Sequence, residues 1–542
     1  MKSLLTVSLI SVIVSLANGQ TFTSSNLPIV QISTGGAGIP EDPKITADMQ
    51  VIYNGAGIRN NVSDPANHYD GKIGIEVRGS SSSTEKNQYS FQFRDNLGNQ
   101  KRFAILDMPR EEDWILVGPY DDKSLMREVL AYKLARDMNH YAPRSRFCEL
   151  LVDGEYLGVY SLMENIKRDV NRVNVALLNP EDISGDNLTG GYLLRVGKVA
   201  EDNGQDFLSL IPPINRSDDQ EIHFEFIYPK ADVLVSQQRN YIENYVADFE
   251  NALNGTNFQD PINGYRKFID TNSFIDFLIS QEMAKNVVGY RLSAFLHKQR
   301  DSDGGKLFMG PLWQLNLGFG NSNYCTSGTT SGFVYDDFNQ VCPEEAFLVP
   351  FWWSKLMTDD SFRSRLGNRW YNLRNDKFQT SVIHEYIDSV ATALDESQGR
   401  NFEKWDILGE YVWPNYYVGD TYEEEIVWLK NWVSERMIWL DENFPPFDPT
   451  AVNDDEFKIH FNSYPNPFTD EIVIEYLMDR PSTVNIDVID MLGRNVANIK
   501  LDFNQKESRS IKFKETTLQP GVYFLRVAQH GNPIYARKMI KK

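Results

Sequence analysis

The sequence predicts an α+β protein, with one large mixed domain followed by a small all-β module. Three observations carry this. Strictly alternating segments such as Ile73-Gly74-Ile75-Glu76-Val77-Arg78 and Tyr89-Ser90-Phe91-Gln92-Phe93-Arg94 fill the first part of the chain. Amphipathic helical stretches come later. The clearest begins where Thr421 and Glu424 form a capping box, and Ile426, Leu429, Val433, Met437 and Leu440 make a single apolar stripe. The Phe444-Pro445-Pro446-Phe447-Asp448-Pro449 break then gives way to short alternating runs that continue to the end. With 542 residues, 41% of them hydrophobic and 24% charged, the chain is long and apolar enough for two or three domains and at least one large core.

Residues 1–19 read as a secretory signal peptide. Met1-Lys2 supplies a positive start, residues 4–16 are apolar, and Ala17-Asn18-Gly19 is a small-residue cleavage site. No other apolar run is long enough to span a bilayer, so the mature protein is expected to be exported and to lack a transmembrane segment. A net charge of −21 and the lack of a basic stretch exclude a general nucleic-acid binder. Export makes the three cysteines informative. Cys325 and Cys342 flank a polar loop, and an oxidising compartment favours a disulfide between them. Cys148 lies in a strand-like run and reads as a buried free thiol. Without clustered histidines the three cannot form a structural zinc site.

Residues 20–69 form a β-rich segment leading into a main domain at 70–443. Gly79-Ser80-Ser81-Ser82-Ser83-Thr84 joins the two alternating strands. A glycine followed by hydroxyl residues can fold over phosphate, but the residues alone favour an ordinary hairpin turn. Ser124 is the expected N-cap of a helix whose apolar face is Leu125, Val129, Leu130, Leu134 and Met138. Strands at 147–152 and 157–163 pair through Asp153-Gly154-Glu155. A helix over 274–284 leads into a loop at 285–290. Strands at 291–299 and 306–313 then pair around Asp301-Ser302-Asp303-Gly304-Gly305, which lacks the remaining ligands of a calcium loop. The seven histidines show no His-x-x-x-His and no Ser-His-Asp arrangement, and Gly35-Gly36-Ala37-Gly38 is no dinucleotide fingerprint. After a linker at 444–458, residues 459–542 carry six or seven short strands, as expected of a small Ig-like β-sandwich.

Two resemblances add to this reading. Tyr464-Pro465-Asn466-Pro467-Phe468, Asp490-Met491-Leu492-Gly493-Arg494, Leu518-Gln519-Pro520-Gly521-Val522-Tyr523-Phe524 and Arg537-Lys538-Met539-Ile540 resemble, in that order, the C-terminal sorting domain of type IX secretion substrates. The resemblance implies a Bacteroidota-type bacterium, the type IX secretion machinery as partner, and a secreted or outer-membrane surface-attached product. The main domain resembles the CotH kinase-like family. The match runs through Asp113-Trp114-Ile115-Leu116, Asp122-Lys123-Ser124-Leu125-Met126-Arg127, Met163-Glu164-Asn165-Ile166-Lys167-Arg168-Asp169, Gly190-Gly191-Tyr192-Leu193-Leu194, Tyr290-Arg291-Leu292-Ser293 and Gly310-Pro311-Leu312-Trp313. This second resemblance implies an atypical two-lobed kinase-like fold with ATP and Mg²⁺ as cofactors.

The family's acids are missing where the resemblance places them. Val288 stands at the catalytic Asp position and Ser293 at its polar companion. The metal-binding stretch reads Trp313-Gln314-Leu315-Asn316, and Gly197 replaces an Asp often found after the Gly-Gly-Tyr strand. Valine cannot accept a proton, and glutamine is a poor substitute for a carboxylate on Mg²⁺. The remaining candidates are Arg78, Lys86, Glu164 and Arg168 for a nucleotide, with a Lys86–Glu164 ion pair by kinase analogy, and Gln314, Asn316 and Asn321 as degenerate metal ligands. Asp270, Asp276 and Glu282 lie nearby and read as helix-surface or N-terminal charge. The expectation is a pseudokinase with weakened or lost phosphotransfer and weak or absent ATP and Mg²⁺ binding, acting by binding a partner. The alternatives are an active extracellular Ser/Thr kinase with a protein substrate, and a surface adhesin or carbohydrate-binding protein.

Overall fold

Alternation at period two places Tyr89, Phe91 and Phe93 on one face of their strand and Ser90, Gln92 and Arg94 on the other. Ile45–Ile52 shares this alternation, whereas Asp113–Val117, Ser145–Val152 and Glu155–Glu164 are buried over much of both faces, and together the strands close a barrel. Its strand order is Ser145–Val152, Glu155–Glu164, Asp113–Val117, Tyr89–Arg94, Tyr69–Val77, Ile45–Ile52 and Ile29–Ser33. The closing pair, Ile29–Ser33 with Ser145–Val152, is parallel, and the others are antiparallel. Two barrel strands thus come from the segment read as leading into the main domain. Cys148 points into the barrel core as a buried free thiol. The computed structural model describes residues 22–78, 85–198, 206–448, 460–478, 482–491, 494–503, 507–514, 518–529 and 532–542. The signal-peptide reading of residues 1–19 and the turn at 79–84 fall outside the described residues.

A second, antiparallel sheet follows, in the order Asp206–Leu208, His223–Tyr228, Tyr192–Gly197, Ala294–Lys298 and Leu307–Met309. Its last two strands form the expected hairpin, with Asp301–Asp303 as a single 3₁₀ turn at the tip. Beside this sheet, the helix Thr271–Ala284 is buried on nearly every side, and Asp270 caps it by accepting Ser273 N at 2.7 Å. It ends at Lys285 in the left-handed region (φ 46°), which turns the chain into the 285–290 loop. The helix Tyr422–Asn443 starts with the expected capping box, and its predicted stripe is buried. Cys325 and Cys342 are disulfide-bonded.

One helix start is corrected. The helix runs Arg127–Asp137 with Met126 at the N-cap, not Ser124. Asp122 takes the capping role from outside, accepting Ser124 Oγ at 2.6 Å and Arg127 N at 2.8 Å, and this leaves 124–126 as a turn with Leu125 at φ 62°.

The C-terminal region is all-β. His460–Tyr464, Ile472–Met478 and Glu507–Phe513 form one sheet. Asn495–Phe503, Ser482–Asp490, Gly521–Gln529 and Asn532–Lys541 form the other. Ile472, Ile474 and Phe513 from the first share a core with Val484, Ile486, Val488, Leu525 and Met539 from the second. Two separated sequence motifs meet here: Asn466 donates to Lys538 O at 2.7 Å and accepts from Ile540 N at 2.9 Å.

Candidate functional site

Several separate chain segments enclose a cavity of about 850 Å³. The barrel supplies Arg78, Glu85, Ser161 and Met163. The turn and helix after the strand Asp113–Val117 supply Asp121, Asp122, Leu125 and Glu128. The loops after the helix Thr271–Ala284 and after the strand Leu307–Met309 supply Val288 and Trp313, Gln314 and Asn316, with Trp413 at the mouth. A second cavity, of about 280 Å³, is lined by Arg195, Glu225, Lys230 and Phe295 and shares Arg78 and Trp313 with the first. The Arg78 guanidinium lies over the Trp313 ring at 5.0 Å, so this cation–π stack is a common wall between the two spaces.

The two adjacent aspartates have different tasks. Asp122 is saturated: besides its contacts to the turn, Oδ1 accepts from Arg127 Nη1 at 2.5 Å, and both partners are buried. Asp121 keeps part of its surface open to the cavity. Its Oδ2 accepts from Asn316 Nδ2 at 2.9 Å, while its backbone carbonyl accepts from Asn321 Nδ2 at 3.2 Å and Asn415 Nδ2 at 2.7 Å. Burial, followed by the Asp122 charge, pushes the Asp121 carboxyl up to about 6, despite the Asn316 hydrogen bond. Burial also raises Glu128, against the Tyr132 hydroxyl that donates to it at 2.8 Å and the nearby positive charge of Arg78. Sequence reasoning passed over both Asp121 and Glu128. The signal available for Asp121 was an acid pair directly after an apolar strand and a Gly118-Pro119 turn.

Of the sequence-derived candidates, Arg78, Val288, Gln314 and Asn316 come together on this cavity. Arg78 and Glu85 bracket the 79–84 segment, and both line it. Gln314 has φ 55°, and its Oε1 accepts from the Ser293 hydroxyl, which joins the position read as companion to Val288 to the degenerate metal-binding stretch. Asn321 stands one step back, donating to Asn316 O at 2.8 Å. At Gly197 a Cβ would meet Glu225 Oε1 at 2.1 Å, so the neighbouring strand's carboxylate fills the space a side chain there would need.

The Lys86–Glu164 pair is corrected. Lys86 is buried, with Nζ donating to Val159 O at 2.8 Å and Asn401 Oδ1 at 2.7 Å over the Tyr160 ring, and burial brings its ammonium down to about 7. Glu164 is gripped by Arg144, through Nε at 3.0 Å and Nη2 at 2.6 Å. Strand rise explains the separation: from Tyr160, where Lys86 docks, to Glu164 is about 13 Å along one strand. Arg168 donates to Val175 O at 3.2 Å and lies over Tyr228 at 5.6 Å, away from the residues lining either cavity. Asp276 and Glu282, read as helix surface, are both buried in ion pairs, with Arg369 and Arg436 respectively.

This donor set does not fit a tight Mg²⁺ site. A small hard cation needs carboxylates with open lone pairs. Here Gln314 is an amide engaged by Ser293, Glu128 accepts from Tyr132, and among the described lining residues the acids left to offer oxygen are Asp121, already held by Asn316, and the solvent-exposed Glu85. Among the described residues, the group of three acids close enough to share an ion is Glu111, Glu112 and Asp113, which Lys167 already bridges.

The raised Asp121 carboxyl has a measurable consequence. Its folded-state value lies above the unfolded one, so its favourable contribution is complete below about pH 4 and is lost as pH rises through about 6. Asp121→Asn is therefore expected to be more stable than the parent at pH 8, by about 1–2 kcal/mol after allowing for its opening to the cavity. Near pH 4 the two should be indistinguishable. Urea unfolding at the two pH values measures the difference, and a gap independent of pH would remove Asp121 as its source.

The profile of the CotH kinase protein family matches residues 75–440, well over half of the chain, and that of the Secretion system C-terminal sorting domain matches residues 462–542. No curated protein matches. Among solved structures, the Pseudomonas fluorescens alkylpurine DNA glycosylase AlkC bound to DNA containing an abasic site analog overlaps 35% of this chain and 54% of its own. The chain thus spans about half the length of that structure, and at 11% identity and a TM-score of 0.12 the likeness carries no argument.

Proposed function

Since the chain belongs to the CotH kinase protein family and carries a type IX sorting domain, we propose that it is an exported binding protein built on a degenerate kinase cleft, with phosphotransfer weakened or lost. The sorting domain indicates export and a surface or extracellular location, and among the described residues no helix is long and apolar enough to cross a membrane. In this reading the barrel is one lobe, the second sheet with its helices is the other, and the cavity between them is the former nucleotide cleft. The C-terminal pair of sheets is an Ig-like sandwich that addresses the protein to the secretion machinery. The main domain then takes in the two barrel strands that precede residue 70 and runs to about 443, the sorting domain spans 459–542, and the linker at 444–458 joins them.

One observation carries the proposal: Val288 and Gln314 both line the cavity, where the family resemblance calls for acids. An aliphatic side chain removes the general base, a loss of roughly 10²–10⁴ in rate by itself. An amide removes the main anchor for a metal that would offset phosphate charge. Arg78, shared by both cavities, supports an anionic ligand, but its stack on Trp313 must shift for one ligand to occupy both spaces. Trp413, 67% exposed at the mouth, offers a flat apolar surface to a partner.

Titration with ATP, with and without Mg²⁺, followed by a γ-phosphate transfer assay, tests this. The expected result is saturable nucleotide binding that Mg²⁺ changes by less than about threefold, with no transfer to a protein acceptor. Rapid transfer would establish an active kinase instead. Absence of both binding and transfer would leave the cleft unused and favour a surface adhesin.

A further inference from the structure

A third cavity, of about 260 Å³, lies behind the hairpin Ala294–Lys298/Leu307–Met309, between it, the buried helix Thr271–Ala284 and the end of the helix Arg127–Asp137. It shares no lining residue with the two cavities described above. Two histidines face it, and each is oriented through one ring nitrogen. His140 Nε2 meets Asp276 Oδ2 at 2.7 Å, and Arg369 holds that carboxylate through Nε at 2.7 Å and Nη2 at 2.9 Å. His297 Nδ1 meets Gly310 O at 3.3 Å and stacks on Phe308 at 5.4 Å.

The partners decide the tautomers. A carbonyl oxygen only accepts, so His297 Nδ1 carries the hydrogen and Nε2 is a bare acceptor. Burial lowers His297 to about 4, which keeps that ring neutral at physiological pH. His140 Nε2 donates to a carboxylate that His140 and Arg369 hold in its charged form, so in the neutral ring Nδ1 is also an acceptor. Among the described residues neither His140 Nδ1 nor His297 Nε2 has a protein partner. The charged groups deep in the wall are matched: Asp276 by Arg369, and Arg172 by Glu164 at 3.7 Å and by Asn165 O at 2.7 Å. The rest of the wall mixes apolar side chains, Met138, Phe277, Phe308 and Leu312, with polar ones such as Asn139, Asn174, Ser280 and Gln299.

Two ring-nitrogen acceptors, matched charges in the deep wall and the flat faces of Phe277 and Phe308 favour one kind of guest. We propose that this cavity is a second ligand site for a small uncharged aromatic molecule bearing hydroxyl donors, held between His140 and His297. The volume is just below the range of about 300–1,000 Å³ for drug-sized ligands, which limits the guest to one or two rings.

Resorcinol is the probe, with 1,3-dimethoxybenzene as a control of the same ring geometry that cannot donate. Calorimetric titration of the full chain is expected to show saturable resorcinol binding at least about tenfold tighter than the control, because each unpaired acceptor gains a donor. Histidine-selective ¹⁵N spectra should show His297 Nε2 and His140 Nδ1 moving on titration. His297→Phe, which keeps a flat ring and removes the acceptor, should weaken resorcinol binding at least about tenfold. Equal affinity for the two probes, unmoved histidine nitrogens or no saturable binding would each overturn the proposal. The calorimetry and the spectra use the unaltered chain, so they decide the matter even if the variant misfolds. Failure here would leave the nucleotide titration of the main cavity unaffected.

Discussion

Glu282→Met is expected to lower the unfolding free energy of the main domain by about 3–5 kcal/mol. Glu282 and Arg436 form an ion pair in which both side chains are fully buried, with Nη2 to Oε2 at 3.1 Å. Burial raises the Glu282 carboxyl and lowers Arg436 to about 10, and both shifts run against the charged forms. Desolvation therefore outweighs mutual attraction, and the pair persists because each charge is also well bonded. Glu282 accepts Tyr290 OH at 2.9 Å, Val334 N at 3.0 Å and Tyr335 N at 3.1 Å. Arg436 donates to Glu282 O, Thr330 O and Gly332 O, each at 2.8 Å. Removing the carboxylate leaves a buried guanidinium uncompensated and frees Tyr290, which ends the loop carrying Val288. The damage should therefore reach the cavity as well as the core. Arg436→Met should cost a similar amount, and the double variant less than the sum of the two. All ten tryptophans lie between residues 114 and 439, so tryptophan fluorescence during urea unfolding reports on the main domain without the sorting domain. Strictly additive losses would show that the two side chains act independently.

Strand alternation made individual strands legible where one face is buried, as at Tyr89, Phe91 and Phe93, but not their closure into a barrel, whose other strands, such as Asp113–Val117, are buried on both faces. The capping box at Thr421 and the hairpin around Asp301–Asp303 were legible for the same reason: local chemistry fixed them. What could not be read were contacts between distant segments. Asp122 caps a helix from outside its first turn, so Ser124 looked like the cap. Lys86 is captured by Asn401, 315 positions away, and no local pattern announces that. Asp276 and Glu282 were read as surface because charge normally implies exposure, whereas their arginine partners come from later helices. The site was half legible. The resemblance brought Val288, Gln314 and Asn316 to one wall, but Asp121 and Glu128 entered only when the fold carried the helix Arg127–Asp137 against them.

Val288→Asp combined with Gln314→Asp is expected to create a divalent-cation site in the main cavity. Mn²⁺ affinity should rise by about 10- to 100-fold, a net gain of about 1.4–2.8 kcal/mol once repulsion among the acids offsets part of the new charge-assisted contacts. Both positions line the same wall as Asp121, and Asn316 already fixes the Asp121 carboxylate at 2.9 Å, so the new acids join a preoriented third oxygen donor. Without metal, three neighbouring carboxylates in a partly buried cavity repel, so the double variant should be less stable than the parent in chelator and recover on adding Mn²⁺. That coupling separates a genuine site from nonspecific attraction of cations to an acidic protein. Each single variant should gain less than half of the double's free energy, because one added acid leaves the coordination shell open. Nucleotide affinity should rise with metal loading, since the bound cation offsets phosphate charge beside Arg78. Mn²⁺ titration monitored by electron paramagnetic resonance gives the affinities. If the double variant binds Mn²⁺ no better than the parent, Val288 and Gln314 do not occupy the places of the family's acids, and the degenerate-cleft reading loses its basis.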